Sequence, residues 1–256
     1  MLALLIDGPN LIRRIYAGIS GYEEDGAYKS RVIESCLSSL SRALEVHQPS
    51  HALCAMDDRE KSWRRNLFSK YKKNRKPIPS DLVEILGQIA QAFYDKGVLT
   101  IEVSEFEADD LIATISRKIE KAGGFVTILS TDKGFFQLIS NSISVYDHFS
   151  HKFRGRDYVK QKFGVEPEQL VDLLSLVGDA SANIIGARGI GLQTGAKLLA
   201  EYGSLDSLFD SIDEIEGMHR NRLRSSEKDV KLARQLLTLC TDVSVGNNLK
   251  EFRYPP

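Results

Sequence analysis

Five short apolar runs, each of strand length, constrain this chain more than any other feature. They are Leu2–Ile6, Ala52–Met56, Val98–Val103, Phe125–Leu129 and Ile143–Tyr146. Between the first four lie segments with helical periodicity. Ser30–Val46 carries Val32, Ile33, Leu37, Leu40 and Leu44 on one face, and Leu82–Phe93 opens after Pro79-Ser80, a helix-start signal. Ala108–Lys121 runs into Gly123-Gly124, a helix stop. Strands alternating with helices argue for an α/β fold with a mostly parallel central sheet flanked by helices. Beyond about residue 160 the strand signal fades and helical patterns follow one another: Pro167–Val177, Gln193–Tyr202, Leu205–Ser211 and Lys228–Leu239. The expected organisation is an α/β domain over 1–160 and a helical part over 161–256.

A chain of 256 residues, 42% hydrophobic and 27% charged, can bury a full core and is not disordered. No apolar run approaches the roughly 18–20 residues of a membrane span. Leu2–Ile6 ends at Asp7 and has no basic flank, so it does not read as a signal peptide. Cys36, Cys54 and Cys240 offer neither a disulfide framework nor zinc spacing. A soluble, cytoplasmic protein is expected, with no membrane contact.

The formal net charge of -1 conceals a strong asymmetry. Arg59 to Lys76 holds nine basic residues and a single acid, Glu60, leaving the rest of the chain acidic. Trp63, Phe68 and Tyr71 are interleaved with these charges. Such a run is either a solvated surface or a contact for a phosphate backbone and an unstacked base. Acids cluster elsewhere. Asp7, Asp57 and Asp132 each follow a strand candidate closely, where ligands bind in parallel sheets. Glu107, Asp109 and Asp110 crowd the first turn of a helix, beyond what favouring the helix dipole requires. Their mutual repulsion invites a divalent cation, and oxygen-only donors point to Mg²⁺ or Mn²⁺ rather than zinc. His148 and His151 sit in a short loop and read as surface residues, and no nucleophile elbow is present.

Gly186-Ala187-Arg188-Gly189-Ile190-Gly191 lacks both the spacing and the preceding strand of a dinucleotide fingerprint. A glycine turn between two helices serves either packing or the presentation of N–H groups to a phosphate at the second helix.

Together these segments resemble the bacterial 5′-flap endonuclease (5′–3′ exonuclease) family, which includes the 5′-nuclease domain of DNA polymerase I. Asp57 through Leu82 resembles the family's D-x5-FR-x6-YK-x2-R-x-P-x-P signature, with Trp63 for the usual Phe. Glu107-Ala108-Asp109-Asp110 matches E-A-D-D, Thr131-Asp132-Lys133 resembles the D-K-D block, and Gly178 to Asn183 resembles G-D-x-S-D-N. The glycine stretch is similar to the family's helix-three-turn-helix motif. Two departures stand out: Gly134 and Ala182 replace family aspartates.

The resemblance implies a PIN-like catalytic domain and a helical DNA-binding part containing the helix-three-turn-helix. It implies metal ligands at Asp7, Asp57, Glu107, Asp109, Asp110, Asp132 and Asp179, with Lys72 and Arg75 at the reacting phosphate. DNA contacts are implied at Arg64, Tyr71, Lys72, Arg75, Gly189, Ile190, Gly191, Leu192, Gln193 and Thr194. Carbonyls of Leu176, Val177, Ile185, Ala187 and Ile190 would hold K⁺. One divalent ion is expected firmly bound and a second held weakly or only with substrate. The expected partner is branched or flapped DNA, and the protein is expected to be a monomer with no protein partner. A DNA-structure-binding protein with little catalysis and a ribonuclease remain the competing readings.

Overall fold

Strand β1 (Leu2–Asp7) lies in the middle of a six-stranded sheet, and from Ala3 onward its residues are buried on both faces, the pattern of a parallel strand covered by helices. The computed structural model describes residues 1–19 and 27–254. In chain order, β1 is followed by α1 (Gly8–Ile19), α2 (Ala27–His47), β2 (His51–Ala55), α3 (Trp63–Leu67) and α4 (Ser80–Asp95). Next come β3 (Leu99–Ile101), α5 (Ala108–Lys121), β4 (Phe125–Leu129), β5 (Ile143–Asp147), β6 (Lys152–Arg154) and α6 (Arg156–Phe163). The rest is α7 (Leu170–Val177), β7 (Gly178–Asp179), β8 (Ile184–Ile185), α8 (Leu192–Tyr202), α9 (Leu205–Asp210) and α10 (Gly217–Leu237).

The sheet order is β3-β2-β1-β4-β5-β6, parallel except for β6. The chain winds outward in one direction from β1 and then in the other from β4, so the carboxyl ends of β1 and β4 flank a topological switch point. Alternate residues face opposite sides. Leu4, Ile6 and Cys54 pack under α1, α2 and α4, while Ala3, Leu5, Leu53 and Val126 pack on α5. The second of these cores continues without a break into Leu173, Leu199, Leu223 and Val230 of the helical part.

All five apolar runs are strands, with ends shifted by up to two residues. Ser80 is the first residue of α4 rather than its cap, and its neighbour Pro79 makes no side-chain cap. α1 was not anticipated, although Leu11, Ile12 and Ile15 form its buried face. α10 begins well before Lys228, because the charged stretch around Arg220–Arg224 hides a buried row of Leu223, Ser226 and Val230. α6 runs across the expected boundary at residue 160. Among the described residues β3 pairs with Leu53–Ala55, and the open start of β2 is covered by the C-terminal segment through a His51–Arg253 bridge.

Candidate active site

The acids gather where strand ends and one helix start meet. Asp7 ends β1 and is 4% exposed; it accepts hydrogen bonds from Asn10 N–H (3.1 Å) and Ser130 Oγ (2.6 Å), the latter just past β4. Asp57, past β2, accepts from Ala108 N–H at 2.9 Å and so stabilises the first turn of α5. Asp109 lies on that turn, and no donor among the described residues reaches its carboxylate. Asp132 follows β4 and accepts from Gly134 N–H at 2.8 Å. Asp7, Asp57, Glu107, Asp109 and Asp132 line one open cleft of about 460 Å³, whose other wall carries Arg13, Arg14, Arg65, Lys72, Arg75 and Lys76.

Burial chiefly, with the charges of Asp132 and Asp57, pushes the Asp7 carboxyl up to about 7 against its hydrogen bonds. Burial also raises Asp57, with Lys72 opposing. Asp109 is raised well above the carboxylate range by burial and by Asp7, Asp132 and Glu107, again with Lys72 opposing. Among the described residues no three His, Cys, Asp or Glu side chains close into a finished cage. What the cleft does present is a cluster of oxygen donors that repel one another beyond what Lys72 offsets. A hard divalent ion fits that donor set and would relieve the repulsion.

Glu107 is held differently, taking Arg64 Nη1, Tyr71 Oη and Lys72 Nζ, each at 3.1 Å. Lys72 has a left-handed backbone (φ 52°), an uncommon conformation for a side-chain-bearing residue and one concentrated at functional sites. Burial opposes its charge, but Tyr71, Glu107 and Asp109 hold its pKa above the usual lysine range. Arg75 Nε donates to Ser181 O at 3.0 Å.

Three expectations are corrected by burial. Arg64 is 1% exposed, so it is no surface contact for DNA. It forms a two-pronged pair with Asp110 (2.7 Å each) and donates to Leu236 O. Asp110 is 0% exposed; besides Arg64 it accepts from Trp63 Nε1 and Cys240 N–H, which turns it away from the cleft as a metal ligand. The indole that stands in place of phenylalanine thus supplies a hydrogen bond phenylalanine lacks. Tyr71 packs its ring with Ala182, Ile184, Ala233 and Leu236, so it offers no open face for a base.

Asp179 ends β7 and pairs with Lys133 at 3.0 Å. In the helical part, Gly178 and Gly186 approach so closely that a Cβ on Gly186 would collide with Gly178 N and Leu176 O. Leu176 O accepts from Ala187 N–H (2.7 Å) and Ala187 O from Ile190 N–H (3.0 Å). Gly189, Gly191, Leu192 and Gln193 are exposed, Thr194 half-buried, and the Ile190 side chain buried. α8 starts at Leu192 with no side-chain cap on its first N–H groups. Sequence reasoning missed Arg13, Arg14 and Lys133; the Arg13-Arg14 pair, six residues past Asp7, was the available signal.

An acid-lined cleft at the switch point of a parallel sheet, with a basic wall and a helical part behind it, defines an α/β nuclease. Residues 2–164 match the family described as "5'-3' exonuclease, N-terminal resolvase-like domain", and residues 165–256 match "5'-3' exonuclease, C-terminal SAM fold". The chain belongs to this 5′–3′ exonuclease family. It is 40% identical to Flap endonuclease Xni of Psychromonas ingrahamii, over 98% of this chain and 96% of that protein. Identity to Flap endonuclease Xni of Colwellia psychrerythraea is also 40%, covering 98% and 91%. In fold it is similar to a T5 5′-exonuclease structure with bound divalent metal ions (zinc), with TM-score 0.79 and 21% identity over 93% of this chain and 89% of that one. Among the described residues no helix is long and apolar enough to cross a membrane.

Proposed function

We propose that the chain is a structure-specific 5′-flap endonuclease that hydrolyses phosphodiester bonds of DNA near the flap junction, using Mg²⁺ or Mn²⁺. The observation that carries this reading is the group Asp7, Asp57 and Asp109, one buried and two half-buried, with Asp57 and Asp109 each repelled by Asp7 or a neighbouring acid, in a cleft also lined by arginines and lysines. Asp7, Asp57, Glu107, Asp109 and Asp132 would hold the ion. When bound, it lowers the pKa of a water and offsets charge on the phosphate. Lys72, tied to Glu107, brings a fixed positive charge to the edge of the acid cluster, where charge develops on the phosphate oxygens. Arg75 and the outer arginines steer the backbone, and none of these groups reads base identity. The exposed turn from Gly189 to Thr194 offers uncapped N–H groups to a duplex phosphate. Carbonyls of Leu176 and Val177 end α7, where the helix dipole favours a cation; with Ile185, Ala187 and Ile190 they are the candidate K⁺ donors.

One assay tests the reading: labelled 5′-flap DNA and a matched RNA, with Mg²⁺, Mn²⁺ or EDTA. Cleavage of the DNA near the junction with either ion, and none in EDTA, is expected. Tight flap binding without cleavage under both ions would favour a DNA-structure-binding protein, the reading that Gly134 and Ala182 support.

A further inference from the structure

The cations along α10 differ in what answers them. Arg224 pairs with Asp213, Lys231 with Glu227 at 2.6 Å, and Arg234 with Asp206 at 2.6 Å and Asp172 at 3.2 Å. Arg222, half-buried on the same helix, reaches no carboxylate among the described residues and donates from Nη1 to Gly189 O at 2.9 Å. That carbonyl belongs to the glycine turn ahead of α8. A Cβ on Gly189, whose φ is +77°, would stand 2.8–2.9 Å from Cζ, Nε and Nη1 of the guanidinium. Three atoms at nearly one distance mean that the group lies broadside on the turn, in space that only a glycine leaves open. One helical turn further on, the buried Ser226 takes Arg188 N–H through Oγ at 3.4 Å, so α10 holds the turn at two places.

Arg188, Gly189, Gly191, Leu192 and Gln193 are exposed beside it, and the first N–H groups of α8 have no side-chain cap. None of these residues lines the acid cleft. A guanidinium carries five N–H donors in a planar fork, and the bond to Gly189 O uses one of them. The others match the free oxygens of a phosphodiester. Because the carbonyl already fixes the group, capturing a phosphate costs little further side-chain entropy. A carbonyl also leaves the positive charge uncompensated, where a carboxylate would cancel it. Two separate grips on one ligand, at the turn and in the cleft, cooperate only if the ligand is stiff between them. Duplex DNA is stiff on this scale, with a persistence length of about 150 bp, and a single strand is not.

We propose that Arg222 is the cationic contact of the duplex-holding turn: reaching from α10, it takes one backbone phosphate beside the start of α8 and so favours duplex-bearing DNA over single strands. It binds and positions the substrate from outside the turn itself and is remote from the reacting phosphate. The proposal rests on the nuclease reading above.

The test is the binding of a short blunt DNA duplex and of a single strand of the same length, without divalent ion, across NaCl concentrations at fixed K⁺. Arg222→Gln should weaken duplex binding about tenfold at low salt, the scale of one charge-assisted hydrogen bond. The slope of log affinity against log salt should flatten by about 0.9, the loss of one phosphate contact. Single-strand binding should keep the wild-type slope, and Arg222→Lys should keep the duplex slope. Arg224→Gln, whose charge is already paired with Asp213, should change neither. On 5′-flap DNA with Mg²⁺, Arg222→Gln should raise KM while kcat holds. A lowered thermal midpoint in Arg222→Gln with an unchanged duplex slope would mean that the arginine only braces the turn, and would overturn the proposal. So would an equal loss on duplex and single strand. If Arg222→Gln does not fold, phenylglyoxal labelling of the wild type decides: the duplex should shield Arg222 and the single strand should not, and equal labelling overturns the proposal. A wild type that binds no duplex also overturns it. A protein that binds duplex but cuts no DNA overturns the nuclease reading, while the duplex slope still judges Arg222.

Discussion

Asp109 shows how a side chain can serve a site at the expense of the fold. Its carboxylate is half-buried, unsupported by any described donor, and repelled by Asp7, Asp132 and Glu107. Asp109→Ala should therefore abolish cleavage while leaving the thermal midpoint equal to or above that of wild type; a lower midpoint would mean that Asp109 supports the structure. His148 carries an acid sensitivity of a different origin. It is buried beside Asn10, Leu11 and Phe149, its Nε2 has no hydrogen-bond partner among the described residues, and burial, with Arg42, His151 and His47, lowers its pKa to about 4. In the unfolded chain a histidine titrates near 6.5. Between those values the unfolded state binds the proton and the folded state does not, so the His148 contribution is full above pH 6.5 and falls as the pH drops toward 4. The raised carboxyls of Asp7 and Asp109 act in the opposite sense over the same range, so the histidine is isolated by comparing variants rather than by the pH profile of wild type alone. Urea unfolding should show His148→Phe gaining stability relative to wild type between pH 7 and pH 5, by about 1–2 kcal/mol at most; an equal difference at both pH values would mean that His148 does not titrate in this range.

At the scale of elements, the basic segment is held far more firmly than its composition suggests. Only α3 within it is helical, yet four hydrogen bonds fasten the remainder to the 180–183 turn: Lys72 N–H to Ala182 O, Asn183 Nδ2 to Lys70 O, Asn74 Nδ2 to Ala180 O and Arg75 Nε to Ser181 O. Arg64 fixes the near end by joining α3 to Asp110 on α5 and to the end of α10. Breaking such a buried pair costs about 3–5 kcal/mol because the remaining charge is stranded. Arg64→Met should lose stability on that scale in chemical denaturation, and its folded fraction should keep the wild-type salt dependence of DNA binding. Arg59→Ala, at the exposed edge of the run, should instead flatten the salt dependence with no loss of stability. The reverse pattern would restore Arg64 as a DNA contact.

Over the whole molecule, one apolar core passes from the sheet through α5 into α7, α8 and α10, so the α/β and helical parts share their burial. The C-terminal segment completes the sheet side: Phe252 is buried, Arg253 bridges His51, and Tyr254 N–H donates to Ser50 O at 3.0 Å. Calorimetric melting should show a single transition. Truncation after Asn248 removes Phe252 and bares the start of β2, and should lower the midpoint by several degrees at ~2–4 °C per kcal/mol. Two separate transitions would show that the helical part melts on its own despite the shared core.

The sequence by itself determined the α/β order, the strands and the acids that follow them, because period-2 and period-3.6 patterning is local and a carboxylate after a strand is visible one residue at a time. It also marked the basic run and the glycine turn. Tertiary structure alone decided what each charge faces. Arg64 and Lys72 lie eight residues apart in one basic run and both touch Glu107, yet the first is buried on Asp110 and the second lines the cleft. Asp109 and Asp110 are adjacent, but one helical step of about 100° turns the first toward the acids and the second toward arginine. Lys133 meets Asp179 across forty-six residues of chain. Such pairings depend on long-range packing and the desolvation it imposes, neither of which leaves a periodic trace in the sequence.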